Sequence, residues 1–114
     1  MNGLKKKFIP AFHGMKLAAE DPSIRIQLIL AALAVIVGFV LQLSSMEWIA
    51  VLICIGLVLC TEILNTAVEK LCNLYTEKTD ERIRVIKDLA AGAVLSASVI
   101  ALICAMVILV RHLI

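Results

Sequence analysis

Two glutamates and an asparagine lie on one side of an otherwise apolar stretch of this chain. They are Glu62, Asn65 and Glu69, and no charged residue occurs from Trp48 to Thr61, immediately before them. Each residue of an α-helix turns by about 100°, so positions three, four and seven apart return to nearly the same direction. The three side chains should therefore share one face along about 10 Å of helix axis. Carboxylates in this arrangement could accept a proton or bind a divalent cation, which predicts chemistry on a molecule that lives in the bilayer.

The composition indicates that this face belongs to a membrane protein. The chain has 114 residues, of which 62% are hydrophobic, and its mean hydropathy is +1.04. A soluble domain of this size could not bury so much apolar surface. We expect one all-α domain over residues 1–114, because nothing in the chain alternates as the strands of a membrane barrel would. The expected membrane spans are about 26–43, 48–69 and 89–110.

Basic residues predict the orientation of these spans. Lysines precede the first span and basic residues fill the connection between the second and third, whereas the short connection 44–47 has none. By the positive-inside rule, the N-terminus and the second connection are cytoplasmic and the C-terminus lies outside. The face that carries Glu62 and Glu69 is then at the cytoplasmic end. Arg111 and His112, near the C-terminus, favour the opposite orientation weakly.

The segment before the first span is expected to form an amphipathic helix on the cytoplasmic membrane surface, over about residues 5–20. Apolar side chains alternate there with basic ones, as in helices that lie in the membrane interface. A basic anchor without a fixed helix is the alternative. Because the segment has no apolar core before residue 24, we do not expect a cleaved signal peptide. The alternating apolar residues are Phe8, Ile9, Phe12, Met15 and Leu17.

Two acids stand where this helix should turn into the first span. They are Glu20 and Asp21, and Pro22 follows them directly. A proline disfavours the helical conformation in the residue before it, so Asp21 should be extended or in a turn. The pair is either a polar hinge or provides a further carboxylate at the same depth in the membrane as Glu62.

The third span opens with Lys87 and Asp88. Lys87 could be an ordinary cytoplasmic anchor and Asp88 a helix cap, or both could take part in function. Small residues let helices approach closely in a membrane, so this span should pack inside the helical bundle and bring Lys87 and Asp88 towards the glutamates. The small residues are Ala90, Ala91, Gly92, Ala93, Ser96, Ala97 and Ser98.

Several kinds of site are absent from the sequence. It contains no GxxxxGK[ST], GxGxxG or HExxH pattern, so side chains and a metal would have to hold any nucleotide. The cysteines at 54, 60, 72 and 104 have no CxxC spacing and read as small apolar residues. A small non-enzymatic membrane protein, or a proton-coupled transporter that uses Glu62, is the alternative to an enzyme. The clustering of the acids at one end, without an inverted repeat, argues against a transporter.

Two blocks of this chain resemble the bacterial diacylglycerol kinase/undecaprenol kinase family. The first runs from Glu62 to Glu69, the second from Lys87 to Leu95, and Met46-Glu47-Trp48 at the start of the second span also resembles the family. The resemblance covers nearly the whole chain. It implies a homotrimeric lipid kinase of the bacterial plasma membrane that moves the γ-phosphate of ATP to a lipid alcohol with the help of Mg²⁺, and it implies no nucleic-acid partner.

The resemblance also implies roles for individual residues. Glu62 matches the catalytic base that takes the proton of the lipid hydroxyl, and Asn65 the residue that orients the reacting groups. Glu69 matches a magnesium ligand in contact with ATP. The remaining ATP contacts implied are Lys78, Thr79, Asp80, Lys87 and Asp88, with Lys87 at the phosphates.

Three positions depart from the usual pattern of the family. The second metal acid is matched by Asp21 in its spacing to Arg25 and by Glu20 in its identity, so both are candidates. Asn73 stands where many members have aspartate, and no role is transferred to it. Ala91, on the lipid-substrate side, stands where some members have serine, which favours undecaprenol over diacylglycerol as the acceptor.

Overall fold

The computed structural model describes residues 3–76 and 78–114 and contains only α-helices as regular structure in these ranges. The all-α fold class is thereby confirmed. The helices are α1 (Gly3–Glu20), α2 (Pro22–Leu41), α3 (Ser45–Tyr75) and α4 (Glu81–Leu113).

Helices α2, α3 and α4 are each long and apolar enough to cross a membrane. Their 20, 31 and 33 residues correspond to about 30, 46 and 50 Å of helix at the usual rise per residue. The hydrocarbon core needs only about 30 Å. Helices α3 and α4 are therefore longer than a span, and their extra turns carry charged residues beyond the apolar stretches. The first span is expected to end at 43, and α2 ends at Leu41. The third span is expected to begin at 89, and α4 begins eight residues earlier, at Glu81.

The junction between α1 and α2 is a tight, capped turn. Asp21 is extended (φ −77°, ψ 129°) and its carboxylate accepts hydrogen bonds from the backbone N–H groups of Ser23 and Ile24. Pro22 occupies the first helical position, where a missing N–H costs nothing. The Arg25 side chain donates back to the Ala19 carbonyl over 2.9 Å. The conformation expected of Asp21 is confirmed, and the turn fixes the last residues of α1 against the start of α2.

A short turn joins α2 to α3 at the opposite end of the molecule. Gln42 adopts a left-handed conformation (φ 56°), and the Leu43 N–H donates to the Gly38 carbonyl as in a Schellman motif. Ser44 then caps α3 through a capping box with Glu47. Phe39 packs on Trp48 with their ring centroids 4.9 Å apart. The cap at the end of α2, the cap at the start of α3 and the contact between Phe39 and Trp48 together hold the two helices as an antiparallel pair.

Helix α4 packs against α3 more extensively than α2 does. Residues 76–80 connect α3 to α4, and Asp80 caps α4 by accepting from the Arg82 N–H. The alternative in which Asp88 caps the helix is thus excluded, because the helix begins two turns earlier. At the far end of the pair, His112 Nε2 lies 3.0 and 2.9 Å from the carboxylate oxygens of Glu47. The two helices are therefore bonded at both ends.

The tightest backbone approach between α2 and α3 gives a first prediction. A Cβ atom on Gly38 would lie 2.7 Å from Cη2 of Trp48 and 3.1 Å from Cδ1 of Leu43. Because an indole ring cannot bend away, Gly38→Ala should destabilise the folded protein by about 1–3 kcal/mol. Unfolding in mixed micelles titrated with SDS, followed by helical circular dichroism, measures this free energy.

Gly56→Ala is the matched control. No atom lies within 4 Å of a Cβ placed there, so alanine should preserve or raise stability by about 0.5–1 kcal/mol through its helix propensity. Equal stability of the two variants would contradict close packing at Gly38.

Candidate functional site

The polar face predicted on the second span is present on α3. The helix is continuous from Ser45 to Tyr75, so Glu62, Asn65 and Glu69 follow one another on one face. Asn65 Nδ2 donates to Glu69 Oε1 over 3.2 Å. Among the described residues, the buried Oδ1 of Asn65 has no hydrogen-bond partner. A buried acceptor without a partner carries a desolvation cost, so this oxygen is well suited to receive a ligand.

Asn73 extends this face by one more turn and joins it to α4. It lies four residues after Glu69, and Lys87 Nζ donates to its Oδ1 over 2.9 Å. Lys87 is thus brought to the face of α3 that carries Glu62, Asn65 and Glu69. No role was predicted for Asn73, although its spacing of four from Glu69 was a signal that could have identified it.

The start of α2 supplies a further carboxylate to the same region. The carboxylates of Asp21 and Glu69 both lie near enough to Glu62 to interact with it electrostatically. One oxygen of Asp21 caps α2, which fixes the carboxylate in place. Glu20 is an exposed residue at the end of α1. Of the two acids considered for a metal, Asp21 is the one that the fold directs to Glu62.

The donors of this region fit a hard cation such as Mg²⁺. They are the oxygens of Glu62, Glu69 and Asp21, with the unpartnered Oδ1 of Asn65 nearby. Within residues 3–76 and 78–114, no three His, Cys, Asp or Glu side chains converge closely enough to hold a metal unaided. Magnesium commonly takes one or two protein carboxylates and fills its other positions with water and phosphate oxygens. An incomplete set of acids is therefore compatible with a cation that arrives with a phosphate ligand.

The connection between α3 and α4 contains three residues predicted to contact ATP. Lys78 and Thr79 are exposed. Asp80 is engaged within the protein, since its carboxylate accepts from the Arg82 backbone N–H at 2.9 Å and pairs with the Arg82 guanidinium at 3.3 Å. The hydrogen bond from the Arg82 side chain lowers the pKa of Asp80, so this carboxyl stays ionised at neutral pH.

Two further predicted residues on α4 are exposed. Asp88 lines a shallow groove with Val85 and Gly92, and Ala91 lies four residues after Lys87. Successive helical residues diverge by about 100°, so Asp88 points well to the side of Lys87. The single chain therefore does not turn Asp88 towards the α3 face to which Lys87 is bonded.

An apolar cavity of about 450 Å³ lies between α2, α3 and α4. It reaches Leu59, one turn before Glu62, and Gln27 is among its few polar lining residues. Cys54 and Cys104 both line it, and the cysteines of the described chain form no disulfide. A lipid-facing cavity thus approaches the acidic face from the membrane side.

Comparison with known proteins agrees with this architecture. Residues 10–109 match the family model for prokaryotic diacylglycerol kinase. The chain is also 33% identical over 109 residues to the undecaprenol kinase of Bacillus subtilis (strain 168), an alignment that covers 95% of this chain and 89% of that protein. Both matches span all of α2 and α3 and nearly all of α4. This chain therefore belongs to the prokaryotic diacylglycerol kinase family and is a membrane lipid kinase.

Proposed function

We propose that the protein phosphorylates a lipid alcohol of the undecaprenol class by direct transfer of the γ-phosphate of ATP, with Mg²⁺ as its cofactor. The observation that carries this proposal is the order of groups along α3. Glu62 comes first, Asn65 and Glu69 follow, and Lys87 is bonded to the same face one turn further on. Base and metal ligand would then follow one another along α3, with the phosphate-binding ammonium held at the end of this face from α4.

This order matches the directions from which the two substrates must come. Glu62 is the nearest of these groups to the uncharged stretch of α3 and to the apolar cavity that ends at Leu59. Glu69 and Lys87 lie closer to the charged connection between α3 and α4. A lipid hydroxyl reaches the site from the bilayer and ATP reaches it from water. Glu62 therefore meets the hydroxyl, whereas Glu69 and Lys87 meet the phosphates.

In the proposed reaction, Glu62 takes the proton of the lipid hydroxyl. The hydroxyl oxygen forms a bond to the γ-phosphorus while the bond from that phosphorus to the β–γ bridging oxygen breaks. The products are a lipid phosphate monoester and ADP. Phosphoryl transfer depends mainly on positioning and on neutralising charge, so it needs few groups beyond the base.

Asn65 positions the groups around the base. Its amide N–H holds one oxygen of Glu69 at 3.2 Å and leaves the other oxygen free. Its buried Oδ1 lacks a partner among the described residues and can accept from a donor that the substrates bring. An aspartate could not replace it, because the N–H donor to Glu69 would be lost and a third negative charge added.

Glu69 and Asp21 are the residues that would hold the metal. Both are carboxylates near Glu62, and Asp21 is fixed in place by its role as the cap of α2. A magnesium ion held by these carboxylates would supply positive charge against the phosphate oxygens. Glu20 remains the less favoured candidate, because nothing directs its side chain to Glu62.

The remaining nucleotide contacts divide between the α3–α4 connection and α4. Lys87 is placed to bind the phosphates, and the exposed Lys78 and Thr79 can approach the nucleotide from the connection. For Asp80 and Asp88 we keep the proposal of ATP contacts, Asp80 through its ionised carboxylate beside Arg82. Ala91 remains a proposed lipid contact.

We infer that the active protein is a homotrimer with its N-terminus and the α3–α4 connection in the cytoplasm. The exposed apolar face of α1 supports this arrangement, since Leu4, Phe8, Phe12 and Met15 lie on one side of that helix and contact nothing large. Such a face suits the membrane surface or a neighbouring subunit. Asp88 and Ala91, which the single chain leaves exposed, could then meet residues of another copy.

The lipid acceptor is proposed from two lines of support. The matched relative in Bacillus subtilis is named undecaprenol kinase, and the alanines at 90 and 91 resemble the undecaprenol type. Diacylglycerol is the second candidate, because the family model is described by diacylglycerol kinase. The non-enzymatic alternatives have no support once the chain belongs to a kinase family.

The role of Glu62 gives a second prediction. Glu62→Gln keeps the shape of the side chain and removes its ability to take a proton. The rate of phosphate transfer should fall by about 10²–10⁴-fold, the range that a general base contributes. The measurement is transfer of radiolabelled phosphate from ATP to the lipid in mixed micelles, with helical content checked in parallel.

Glu81→Gln is the control for this substitution. Glu81 is an exposed glutamate paired with Arg84 at the start of α4 and has no proposed part in the reaction. Its variant should retain the activity of the unmodified protein. Near-normal turnover by Glu62→Gln would remove Glu62 as the base.

The role of Glu69 gives a third prediction. Glu69→Gln should raise the concentrations of Mg²⁺ and ATP needed for half-maximal activity by about ten- to a hundredfold, since it neutralises one of few ligands. Titrating Mg²⁺ at fixed ATP measures the change. A magnesium dependence equal to that of the unmodified protein would contradict a metal-binding role for Glu69.

The choice of lipid gives a fourth prediction. Purified protein offered undecaprenol and diacylglycerol together in mixed micelles with Mg²⁺ and ATP should label undecaprenol preferentially. Preferential labelling of diacylglycerol would overturn the acceptor but keep the kinase chemistry. Labelling of neither lipid by folded protein would contradict direct transfer from ATP.

A further inference from the structure

A side-chain hydrogen bond between Asn73 and Lys87 joins α3 to α4 at the end where the proposed site lies. Lys87 Nζ donates to Asn73 Oδ1 over 2.9 Å, across 14 positions of sequence. Asn73 is the fourth polar residue on the face that carries Glu62, Asn65 and Glu69. The bond therefore fixes the ammonium of α4 to the end of this face.

We propose that Asn73 is a positioning residue that presents Lys87 to the phosphates of ATP without cancelling its charge. The inference rests on the proposed function, in which Lys87 binds those phosphates. Asn73 itself need not touch a substrate. It acts by holding the ammonium of Lys87 one turn beyond Glu69 on the same face of α3, towards the place where the metal and the γ-phosphate would meet.

The uncharged amide is central to this role. A lysine ammonium has three N–H donors, and its bond to Asn73 uses one of them. The other two remain for phosphate oxygens. Because the amide carries no charge, it does not neutralise the ammonium of Lys87, whereas Glu62 and Glu69 on the same face of α3 oppose the approach of ATP. An aspartate of the same shape would form an ion pair with Lys87 and would add another negative charge.

Fixing the lysine before ATP arrives also reduces the entropy lost on binding. A lysine side chain has many rotamers, and ordering them opposes complex formation. Lys87 is half-buried between α3 and α4, and its bond to Asn73 selects one of these arrangements. Lys87 extends from a continuous helix capped by Asp80, so its backbone is held and the bond to Asn73 selects the position of the ammonium.

The test compares Asn73→Ala with the isosteric Asn73→Asp. Asn73→Ala should raise the KM for Mg·ATP by about fivefold, the worth of one net hydrogen bond, with little change in kcat or in the KM for lipid. Asn73→Asp should raise the KM for Mg·ATP at least as much, although it can still accept the bond from Lys87. A purely structural bond would instead be preserved by aspartate.

Lys87→Ala and the double variant Asn73→Ala/Lys87→Ala complete the cycle. Lys87→Ala should raise the KM for Mg·ATP more than Asn73→Ala does. Because Asn73 acts through Lys87, the double variant should have the same KM as Lys87→Ala alone. Lys70→Ala removes an exposed lysine of α3 at the same end of the molecule and should leave this KM unchanged, which controls for loss of positive charge in general.

The possible outcomes separate this inference from the proposed function. If Lys87→Ala raises the KM while both Asn73 variants behave as the unmodified protein, the inference is overturned and the proposed function stands. If Asn73→Ala is impaired and Asn73→Asp is normal, the need for a neutral amide is overturned. If Lys87→Ala itself leaves the KM unchanged, the proposed role of Lys87 fails, and the inference fails with it.

Discussion

The cost of placing charge in a bilayer constrains how this chain can be arranged. A carboxylate near the centre of a membrane helix costs about 2.5–3.5 kcal/mol on insertion scales, so Glu62 at the end of an uncharged stretch needs neighbours that tolerate it. The fold places its polar groups accordingly. Helix α3 ends where α2 and α4 begin, so Asp21 and Lys87 gather at the end of α3 that carries the acids. At the opposite end, the charge of Glu47 meets His112 and a capping box.

Much of this arrangement could be predicted from sequence, because a long apolar stretch identifies a membrane helix. The number of apolar helices, the shared face of Glu62, Asn65 and Glu69, and the extended Asp21 all follow from periodicity or from proline geometry. The start of α4 could not be predicted from hydropathy, because the apolar pattern begins at Leu89 whereas the helix extends through charged turns back to its Asp80 cap. The pairings of Lys87 with Asn73 and of Glu47 with His112 depend on the register of two packed helices, which no local pattern encodes.

The isolated chain leaves most of its large apolar side chains exposed. Ile24 and Cys72 are the buried apolar side chains that form its small core among the described residues. For helices that cross a membrane, lipid and neighbouring chains replace the core of a soluble domain, since helix association there relies on close packing and polar bonds. A site at the end of α3 that the single chain leaves partly uncovered is consistent with helices that are completed by lipid and neighbouring chains. The hydroxyl of a lipid could approach Glu62 along the cavity at Leu59 without leaving the bilayer.

The absence of a glycine-rich phosphate loop explains why α3 carries so many polar groups on one face. Kinases with such a loop hold phosphates through backbone N–H groups that no secondary structure uses. In α3 the backbone N–H groups are committed to the helix, and in a bilayer they cannot be released without large cost. In the proposed reaction, charge neutralisation would then come from side chains and a metal. A continuous helix presents side chains at fixed intervals of about 1.5 Å per residue, so the spacing from Glu62 to Asn73 would set the distances over which the phosphoryl group is held between lipid and water.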